Sequence, residues 1–398
     1  MIIVPLVLAG FCWPLPMHAH SEVGLPEKAR QNLEGWASKA SPLFVEWKIK
    51  KNSNLPPDQM FERLKMTPTP FFFQSIQASF ATQGGRFLSI QPIAKVTMQK
   101  KDAGTKEKVV QSMADLEVSF DGSIVYNGTK GKDSVLIINP LAKAIAEHPD
   151  DPVARQPEYL RLIGYEIPDC YAELKTNPMV RSAVVRLASE NENRVNISPA
   201  TIRGKEVVCV RILNSHLDKA WFLDPNRSHL PVGWEEYSAS GKVAARAVFE
   251  EFETLPRSKL ILPRLVHVTH YGISEVADQA ASEVLFHTEV AVVKFSDETL
   301  PPETFVLDYK MPGAIVGNSA LPEAKEKPSG QIVYIVPANP ADLEEAIEKA
   351  SKSVVGNNWR HGPRIALLVV SAGLLLMVVA YLWRRRRLRQ NSAEKGTR

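Results

Sequence analysis

The sequence predicts an α+β fold built on an antiparallel β-sheet. Apolar and polar residues alternate over many short runs, as expected for strands that bury one face. Turns containing Gly, Asn, Asp or Pro separate these runs, and connections this short require antiparallel neighbours. Stretches with helical spacing are grouped near the beginning and in the middle of the chain. This grouping of helices apart from strands is typical of α+β domains.

The N-terminal region predicts a helix, a strand and a proline-bearing connection. Residues 26–40 carry apolar side chains at helical spacing after an initial proline, which suits the first helical turn. Residues 43–49 then alternate apolar and charged side chains, as in a half-buried strand. Residues 52–70 predict a connection that holds a short helix at 60–64.

Further strands follow, and one of them opens a hairpin. Residues 72–80 and 87–90 again alternate. Residues 116–126 predict two strands joined by Asp121-Gly122, a dipeptide that supplies the positive φ angles of a type I′ turn. The pattern then predicts a strand at 135–139 and short helices at 141–148 and 157–164.

The second half of the chain predicts mostly strands. They are expected at 184–187, 194–197, 206–213, 219–223, 230–237, 242–252 and 260–271. Residues 300–329 contain five prolines and predict a loop or linker, after which 332–336 is one more candidate strand. Asn339 and Pro340 are suitable N-cap and N1 residues for a following helix.

The C-terminal end predicts a single membrane span. Residues 365–383 are uncharged and apolar, and a helix of that length covers about 28 Å, close to the hydrocarbon thickness of a bilayer. A buried core helix is the alternative. A cytoplasmic tail is indicated by the arginines that follow directly, because positive flanks remain inside: Arg384, Arg385, Arg386, Arg387 and Arg389.

The N-terminal end predicts a signal peptide over residues 1–19. Its apolar stretch is too short to span a bilayer, and Phe11 before Cys12 argues against lipidation. The expected protein is a single-pass cell-membrane protein whose bulk is extracytoplasmic, periplasmic or extracellular. The expected segments are an extracytoplasmic domain at 20–320, a linker strand and juxtamembrane helix at 321–364, the span at 365–383 and a basic cytoplasmic tail at 384–398.

Cysteine use leaves two alternatives open. Cys12 would leave with the signal peptide, so Cys170 and Cys209 remain as one candidate disulfide in an oxidising compartment. Two buried free thiols are the other possibility, since cysteine packs as a small hydrophobic residue.

Charge and motifs argue against nucleic-acid binding and catalysis. The net charge of +4 is more than accounted for by residues 384–398, so the remainder is slightly acidic and has no basic stripe. Nucleotide-binding, serine-hydrolase and zinc-protease signatures are absent. His267 and His270 are three apart on a predicted strand and point to opposite faces, so they cannot chelate one ion. We expect no metal, no cofactor and no enzymatic activity.

One set of motifs resembles a known family. The segments 221–225 (WFLDP), 230–234 (LPVGW) and 241–242 (GK), followed by Phe249 and Phe252, resemble the C-terminal half of LolA-like periplasmic lipoprotein carriers. The likeness extends over roughly residues 29–271. It implies a strongly curved antiparallel sheet, an incomplete barrel closed by helices, with an apolar cavity for acyl chains. The predicted membrane anchor departs from this family, so the role of a free carrier does not transfer.

The resemblance implies a lipid- or lipoprotein-binding or envelope-sensing module on a membrane anchor, without catalysis. Its expected partners are the bilayer and a lipid or lipoprotein acyl chain. An anchored protein-interaction module with a filled core is one alternative, and an enzyme of the cell envelope is another. The residues that would line the cavity, or fill the core instead, are Trp47, Phe80, Phe120, Tyr126, Trp221, Trp234 and Phe249.

Overall fold

The structure is a computed structural model that describes residues 25–64, 72–99, 108–131, 134–147, 149–150, 152, 156–191, 194–213, 218–272 and 283–353. It divides into two compact units. The first unit comprises Met1–Lys132 and Leu141–Leu307, and the second comprises Asp133–Pro140 and Asp308–Arg398. The predicted signal peptide at 1–19, the span at 365–383 and the arginines after it lie outside the described residues. Within those residues, no helix has the length and apolar character needed to cross a membrane.

The described residues form the following strands and helices in chain order. The strands are β1 (Leu43–Asn52), β2 (Ile76–Gln83), β3 (Arg86–Gln99), β4 (Lys108–Phe120), β5 (Ile124–Lys130), β6 (Val135–Pro140), β7 (Tyr165–Glu166), β8 (Arg181–Ser182), β9 (Val195–Ile202), β10 (Lys205–Ile212), β11 (Asp218–Asp224), β12 (Leu230–Tyr237), β13 (Val243–Thr254), β14 (Ile261–Tyr271), β15 (Val284–Ser296), β16 (Ile315–Asn318) and β17 (Ile332–Ile335). The helices are α1 (Glu27–Ser38), α2 (Pro57–Leu64), α3 (Leu141–Glu147), α4 (Glu158–Leu162), α5 (Tyr171–Thr176), α6 (Ala183–Glu190) and α7 (Leu343–Lys352).

The first unit is built on one antiparallel sheet, which confirms the predicted α+β class. Its strand order is β5-β4-β3-β2-β1-β15-β14-β13-β12-β11-β10-β9, and the sheet is not closed. Strands that follow one another in the chain are neighbours on both sides of the β1–β15 pair. The sheet therefore consists of two meanders, one from each half of the sequence, joined where β1 meets β15.

Helices α1, α3, α4, α5 and α6 share one hydrophobic core with the sheet, whereas Met60 and Phe61 of α2 form a separate cluster with Leu285 and Phe286 of β15. Buried side chains of α1, α4, α5 and α6, such as Leu33, Leu160 and Val184, belong to the same cluster as Trp47 on β1 and Trp221 on β11. We call the sheet face that carries these two tryptophans the inner face. Alternate residues of β1 are buried on it, as the predicted half-buried strand requires.

Hydrogen bonds fasten the helices and the segment between β6 and β9 to this sheet. The indole N–H of Trp36 on α1 donates to the carbonyl of Ser228 at 3.0 Å. The Tyr159 hydroxyl on α4 donates to the carbonyl of Pro263 at 2.7 Å. The indole N–H of Trp234 on β12 donates to the carbonyl of Leu162 at 2.8 Å. These bonds satisfy buried polar groups that would otherwise oppose packing.

One predicted strand is a helix. Residues 184–187 belong to α6, where the Ser182 hydroxyl caps the helix by accepting the N–H of Val185 at 3.4 Å. Val184, Val185 and Ala188 are buried at helical spacing. The β-branched residues Val184 and Val185 favour a strand, but the Ser182 cap and the contact with the core favour the helix.

The predicted hairpin forms with a different turn. Of the predicted turn residues Asp121 and Gly122, only Gly122 has a positive φ, of 108°, whereas a type I′ turn needs two such residues. The carboxylate of Asp121 accepts the backbone N–H groups of Ser123 and Ile124, each at 2.8 Å. Gly122 thus has the positive φ angle that glycine adopts readily, and the Asp121 side chain closes the turn.

The described residues of the second unit form a small three-stranded sheet and the helix α7. β16 pairs in parallel with β6 and antiparallel with β17. The predicted loop at 300–329 therefore contains a strand. The predicted N-cap is confirmed, because the Asn339 side chain accepts the N–H of Ala341 at 3.2 Å in a 3-10 turn that leads into α7.

Candidate functional site

The seven aromatic residues proposed from the sequence are all buried. Six of them belong to the core cluster of the inner face: Trp47, Phe80, Phe120, Trp221, Trp234 and Phe249. The exception is Tyr126, which follows the inward-facing Val125 on β5 and so points to the other face. Its hydroxyl donates to Asp121 at 3.1 Å, and burial together with that carboxylate raises the pKa of Tyr126 to about 12.

The centre of the inner face is filled by side chains. The Trp47 ring lies 5.8 Å from the Tyr159 ring, and the Trp221 and Trp234 rings lie 6.4 Å apart at an angle of 60°. Trp47 and Trp221 are less than 2% exposed. Within the described ranges, neither the Trp47 nor the Trp221 indole N–H has a hydrogen-bond partner. A buried donor without a hydrogen-bond partner destabilises a fold by about 1–3 kcal/mol. Packing of the two rings therefore stabilises this centre at the expense of these two hydrogen bonds.

A small cleft opens at one end of the inner face. Its volume is about 80 Å³. A space of this size holds a few water-sized groups and is too small for an acyl chain. The cleft is lined by four uncharged residues, Leu162, Trp234, Val268 and Thr288, and by five ionisable ones, Glu158, Arg161, Lys219, Glu236 and His270. We call it the polar cleft.

Strand alternation explains why charged side chains reach the polar cleft. Lys219 lies two residues before Trp221 on β11, and Glu236 lies two residues after Trp234 on β12. His270 follows the buried Val268 at the same interval on β14. Residues two apart share a sheet face, so all three ionisable groups continue the inner face beyond its apolar centre.

Lys219 is held between two aromatic rings and a carboxylate. Its ammonium lies 4.0 Å from the centroid of Trp234 and 4.7 Å from that of Trp221. Its Nζ is 3.0 Å from Oε1 of Glu236 on the neighbouring strand. Burial lowers the pKa of Lys219, although Glu236 opposes this effect. Cation–π contacts and a charge-assisted hydrogen bond to a carboxylate both stabilise a partly desolvated cation.

His270 packs in the wall of the same cleft. Its ring stacks on Phe286, with centroids 4.1 Å apart and an interplanar angle of 15°. Burial lowers the pKa of His270 to about 4, so the ring is neutral at pH 7. His267 lies on the opposite face of β14, which agrees with the argument that the two histidines cannot share an ion.

Arg161 and Glu158 extend from helix α4 at the other wall. They are three residues apart, and therefore neighbours on the helix surface. In the part of the chain that the structure describes, neither makes an ion pair. The cleft thus combines the Lys219–Glu236 pair with one further cation and one further carboxylate.

Sequence reasoning missed this cleft. The sequence motifs draw attention to His270 only as a residue that cannot share an ion with His267, and they do not single out Glu236, Lys219 or Arg161. The available signal was the alternation itself, because each strand residue of the cleft has the same parity as a tryptophan or valine of the core. What could not be read from the sequence is that α4 packs against this end of the sheet.

Cys170 and Cys209 are free thiols in the structure. Cys170 precedes α5, and Cys209 lies on β10, where burial raises its pKa to about 11. The alternative of two unpaired cysteines is the one that the structure has. Among the described residues, no three His, Cys, Asp or Glu side chains are grouped so that they could hold a metal ion.

Comparison with known proteins gives similarity of fold only. No protein-family model matches the chain, and no curated protein matches it significantly. Three solved structures are similar over large parts of their length. A LolA-superfamily protein from Nitrosomonas europaea has a TM-score of 0.33 at 9% identity, covering 71% of this chain and 97% of that one. A DUF1329-family protein from Desulfovibrio piger has a TM-score of 0.30 at 7% identity, with coverages of 70% and 95%.

The third similar structure is a domain described as outer membrane lipoprotein-sorting, from Vibrio parahaemolyticus. It has a TM-score of 0.30 at 10% identity, covering 70% of this chain and 93% of that one. All three TM-scores are below 0.5. By its fold, the chain is similar to LolA-superfamily proteins.

Proposed function

We propose that this protein is a membrane-anchored, extracytoplasmic and non-catalytic module that binds the acyl chain of a lipid or lipoprotein. The observation that supports it best is the composition of the inner face. Its centre is apolar and aromatic, and it continues directly into a cleft lined by charged groups. An amphipathic ligand has the same two parts, a chain to bury and a head group to hold.

If the helices move away from the sheet, the apolar side chains of the centre can bury an acyl chain. Each buried CH₂ contributes about 0.8 kcal/mol, so a chain of about sixteen carbons gains about 13 kcal/mol. After an association cost of about 4 kcal/mol, this gain leaves about micromolar affinity. In the structure the side chains fill this space, so uptake requires an opening between the helices and the sheet. The unpartnered indole N–H groups of Trp47 and Trp221 favour such an opening, since a ligand oxygen could accept from either.

The anchoring part of the proposal rests on the sequence. The apolar run at 365–383 and its following arginines would keep the inner face near a bilayer. The chain would then receive or sense lipid at the membrane, in contrast to a carrier that diffuses.

A second candidate is an anchored protein-interaction module whose core binds no ligand. The filled centre of the inner face supports it, because the polar cleft of about 80 Å³ holds no acyl chain. The two candidates differ in whether lipid ever reaches the inner face.

Photochemical cross-linking separates these candidates. The full-length chain is placed in nanodiscs containing a phospholipid with a photoactivatable group near the end of one acyl chain, and cross-linked residues are identified by mass spectrometry. We expect adducts at inner-face residues such as Trp221. The adjacent Phe222 points to the other face and reports non-specific labelling.

Adducts confined to 365–383 would contradict acyl-chain binding and favour the interaction module. Equal labelling of Trp221 and Phe222 would have the same consequence, since it would mean that the acyl chain has no preference for the inner face.

A further inference from the structure

We infer that the polar cleft recognises a zwitterionic head group, a phosphate joined to a primary ammonium, as in an aminophospholipid. This inference rests on the proposed binding of an acyl chain and names the class of lipid that carries it. The phosphate would lie beside Arg161 and Lys219, and the ammonium beside Glu158 and Glu236.

The charges of the cleft carry the inference. Two cations, Arg161 and Lys219, and two carboxylates, Glu158 and Glu236, line it together. His270 completes the wall as an uncharged ring at neutral pH. A purely anionic head group would meet the two carboxylates, and a purely cationic one would meet the two cations. A head group with one charge of each sign matches both pairs.

The position of Lys219 and Glu236 is a second, independent observation. They are directly opposite each other on β11 and β12 and share the inner face with Trp221 and Trp234. A partly buried ion pair of this kind gains little or nothing over apolar residues of similar size. A fold that only needed packing at these two sites would be served equally well by apolar side chains, so the pair points to a ligand.

Arg161 and Glu158 supply the groups that remain open. Both line the cleft from α4, and within the described ranges neither has an ion-pair partner. They form a cation and a carboxylate in neighbouring positions, which a bound phosphate and ammonium would complete.

The place of Trp234 connects the head group to the chain. Its ring lines the polar cleft and belongs to the core cluster of the inner face. A ligand whose charged end lies in the cleft would therefore have its apolar end directed along the aromatic centre. The cleft volume of about 80 Å³ suits the polar end alone.

Lipid competition measured by native mass spectrometry tests the inference. The full-length chain in detergent is offered phosphatidylethanolamine, phosphatidylglycerol and diacylglycerol with identical acyl chains. We expect phosphatidylethanolamine to be retained about tenfold over phosphatidylglycerol, the size of one ionic contact. Soluble glycerophosphoethanolamine, which has no acyl chain, is a separate arm that distinguishes the head group from the whole lipid.

Single neutralisations assign the preference to the cleft. Glu158→Gln removes a negative charge and should shift retention toward phosphatidylglycerol. Arg161→Gln should reduce retention of both phospholipids relative to diacylglycerol. Glu147→Gln, on the surface of α3 and outside the cleft, is the matched control and should change neither ratio.

The outcomes distinguish this inference from the proposed function. Lipids retained without preference for phosphatidylethanolamine overturn the head-group assignment and leave acyl-chain binding intact. Glycerophosphoethanolamine bound without any lipid supports the head-group site and overturns acyl-chain binding. Retention of no ligand overturns both, and a ratio that Glu147→Gln changes as much as Glu158→Gln overturns the assignment to the cleft.

Discussion

The centre of the inner face and the polar cleft at its end belong to one continuous surface and follow opposite rules. At the centre, Trp47 and Tyr159 are fully buried and in contact. At the cleft, Lys219 and Glu236 occupy equivalent inward positions and keep part of their side chains in water, with exposures of 20% and 30%. The centre gains stability from burial, whereas the cleft gives up that gain to keep charges on the same face.

This difference separates residues that stabilise the fold from residues that are available for binding. A substitution at the centre should be felt in the free energy of unfolding. A substitution at the cleft should be felt in ligand preference and in the response to pH.

The largest expected effect is at the centre. Trp47→Ala removes a ring with no solvent exposure and leaves a cavity, which costs about 3–5 kcal/mol of unfolding free energy. Urea unfolding measures it, with Val293→Ala on the exposed side of β15 as the control, expected within about 0.5 kcal/mol. Similar losses in both variants would mean that the centre is not the main source of stability.

The next effect is the response of the cleft to pH. His270 has a pKa of about 4 in the fold, below its ordinary 6.5, so the fold favours the neutral ring. Stability from this group is complete above pH 6.5 and is lost as the pH falls toward 4. The loss is about 3 kcal/mol, from 1.36 kcal/mol for each unit of pKa.

His270→Phe retains a ring against Phe286 and removes the titration. Unfolding free energies measured between pH 7 and pH 4 should fall less steeply in this variant than in the unchanged chain. His267→Phe, on the other face of β14, is the control for losing a histidine from this strand. Parallel curves for the His270 variant and the unchanged chain would refute the burial of a neutral histidine.

A smaller effect is expected where a helix is attached to the sheet. Tyr159→Phe removes the hydrogen bond to the Pro263 carbonyl and should cost about 1 kcal/mol. Tyr271→Phe on β14 is the matched control, because its hydroxyl makes no hydrogen bond in the described part of the chain. If both variants unfold at the same urea concentration, the bond contributes nothing.

The smallest effect should come from replacing the whole ion pair. The double variant Lys219→Met/Glu236→Leu should stay within about 1 kcal/mol of the unchanged chain, since apolar residues substitute well for a partly buried pair. Thermal unfolding checks this, and Lys219→Met alone should lose more because Glu236 is left unpaired. A loss in the double variant as large as that of Trp47→Ala would give the cleft a structural role.

Alternation made most of the sheet predictable from the sequence. Strand β1 and the hairpin from β4 to β5 lie near their predicted positions, because the alternation of apolar and polar residues in each segment shows which side chains are buried. The strand predicted at 184–187 was wrong because Val184 and Val185 favour strands locally. The Ser182 cap and the contact with the core stabilise a helix there instead.

The polar cleft depended on tertiary contacts that no local pattern contains. Lys219, Glu236 and His270 come from three strands, and Arg161 comes from a helix nearly sixty residues before Lys219. Periodicity gives the face on which each residue lies, but not which residues of distant segments meet there. For the same reason the sequence did not distinguish a hollow inner face from a filled one.

Strand β15 has a consequence for the order in which the chain can fold. It pairs with β1 on one side and with β14 on the other, so the two meanders are joined only through residues 284–296. Closing this junction brings together segments more than two hundred residues apart, which is slow compared with local hairpins. Until β15 has been synthesised, β1 and β14 each present an open edge, the feature that most readily leads to pairing between chains. A chain whose synthesis stops before residue 284 therefore carries two half-sheets, and each has an open edge that can pair with other unfinished copies.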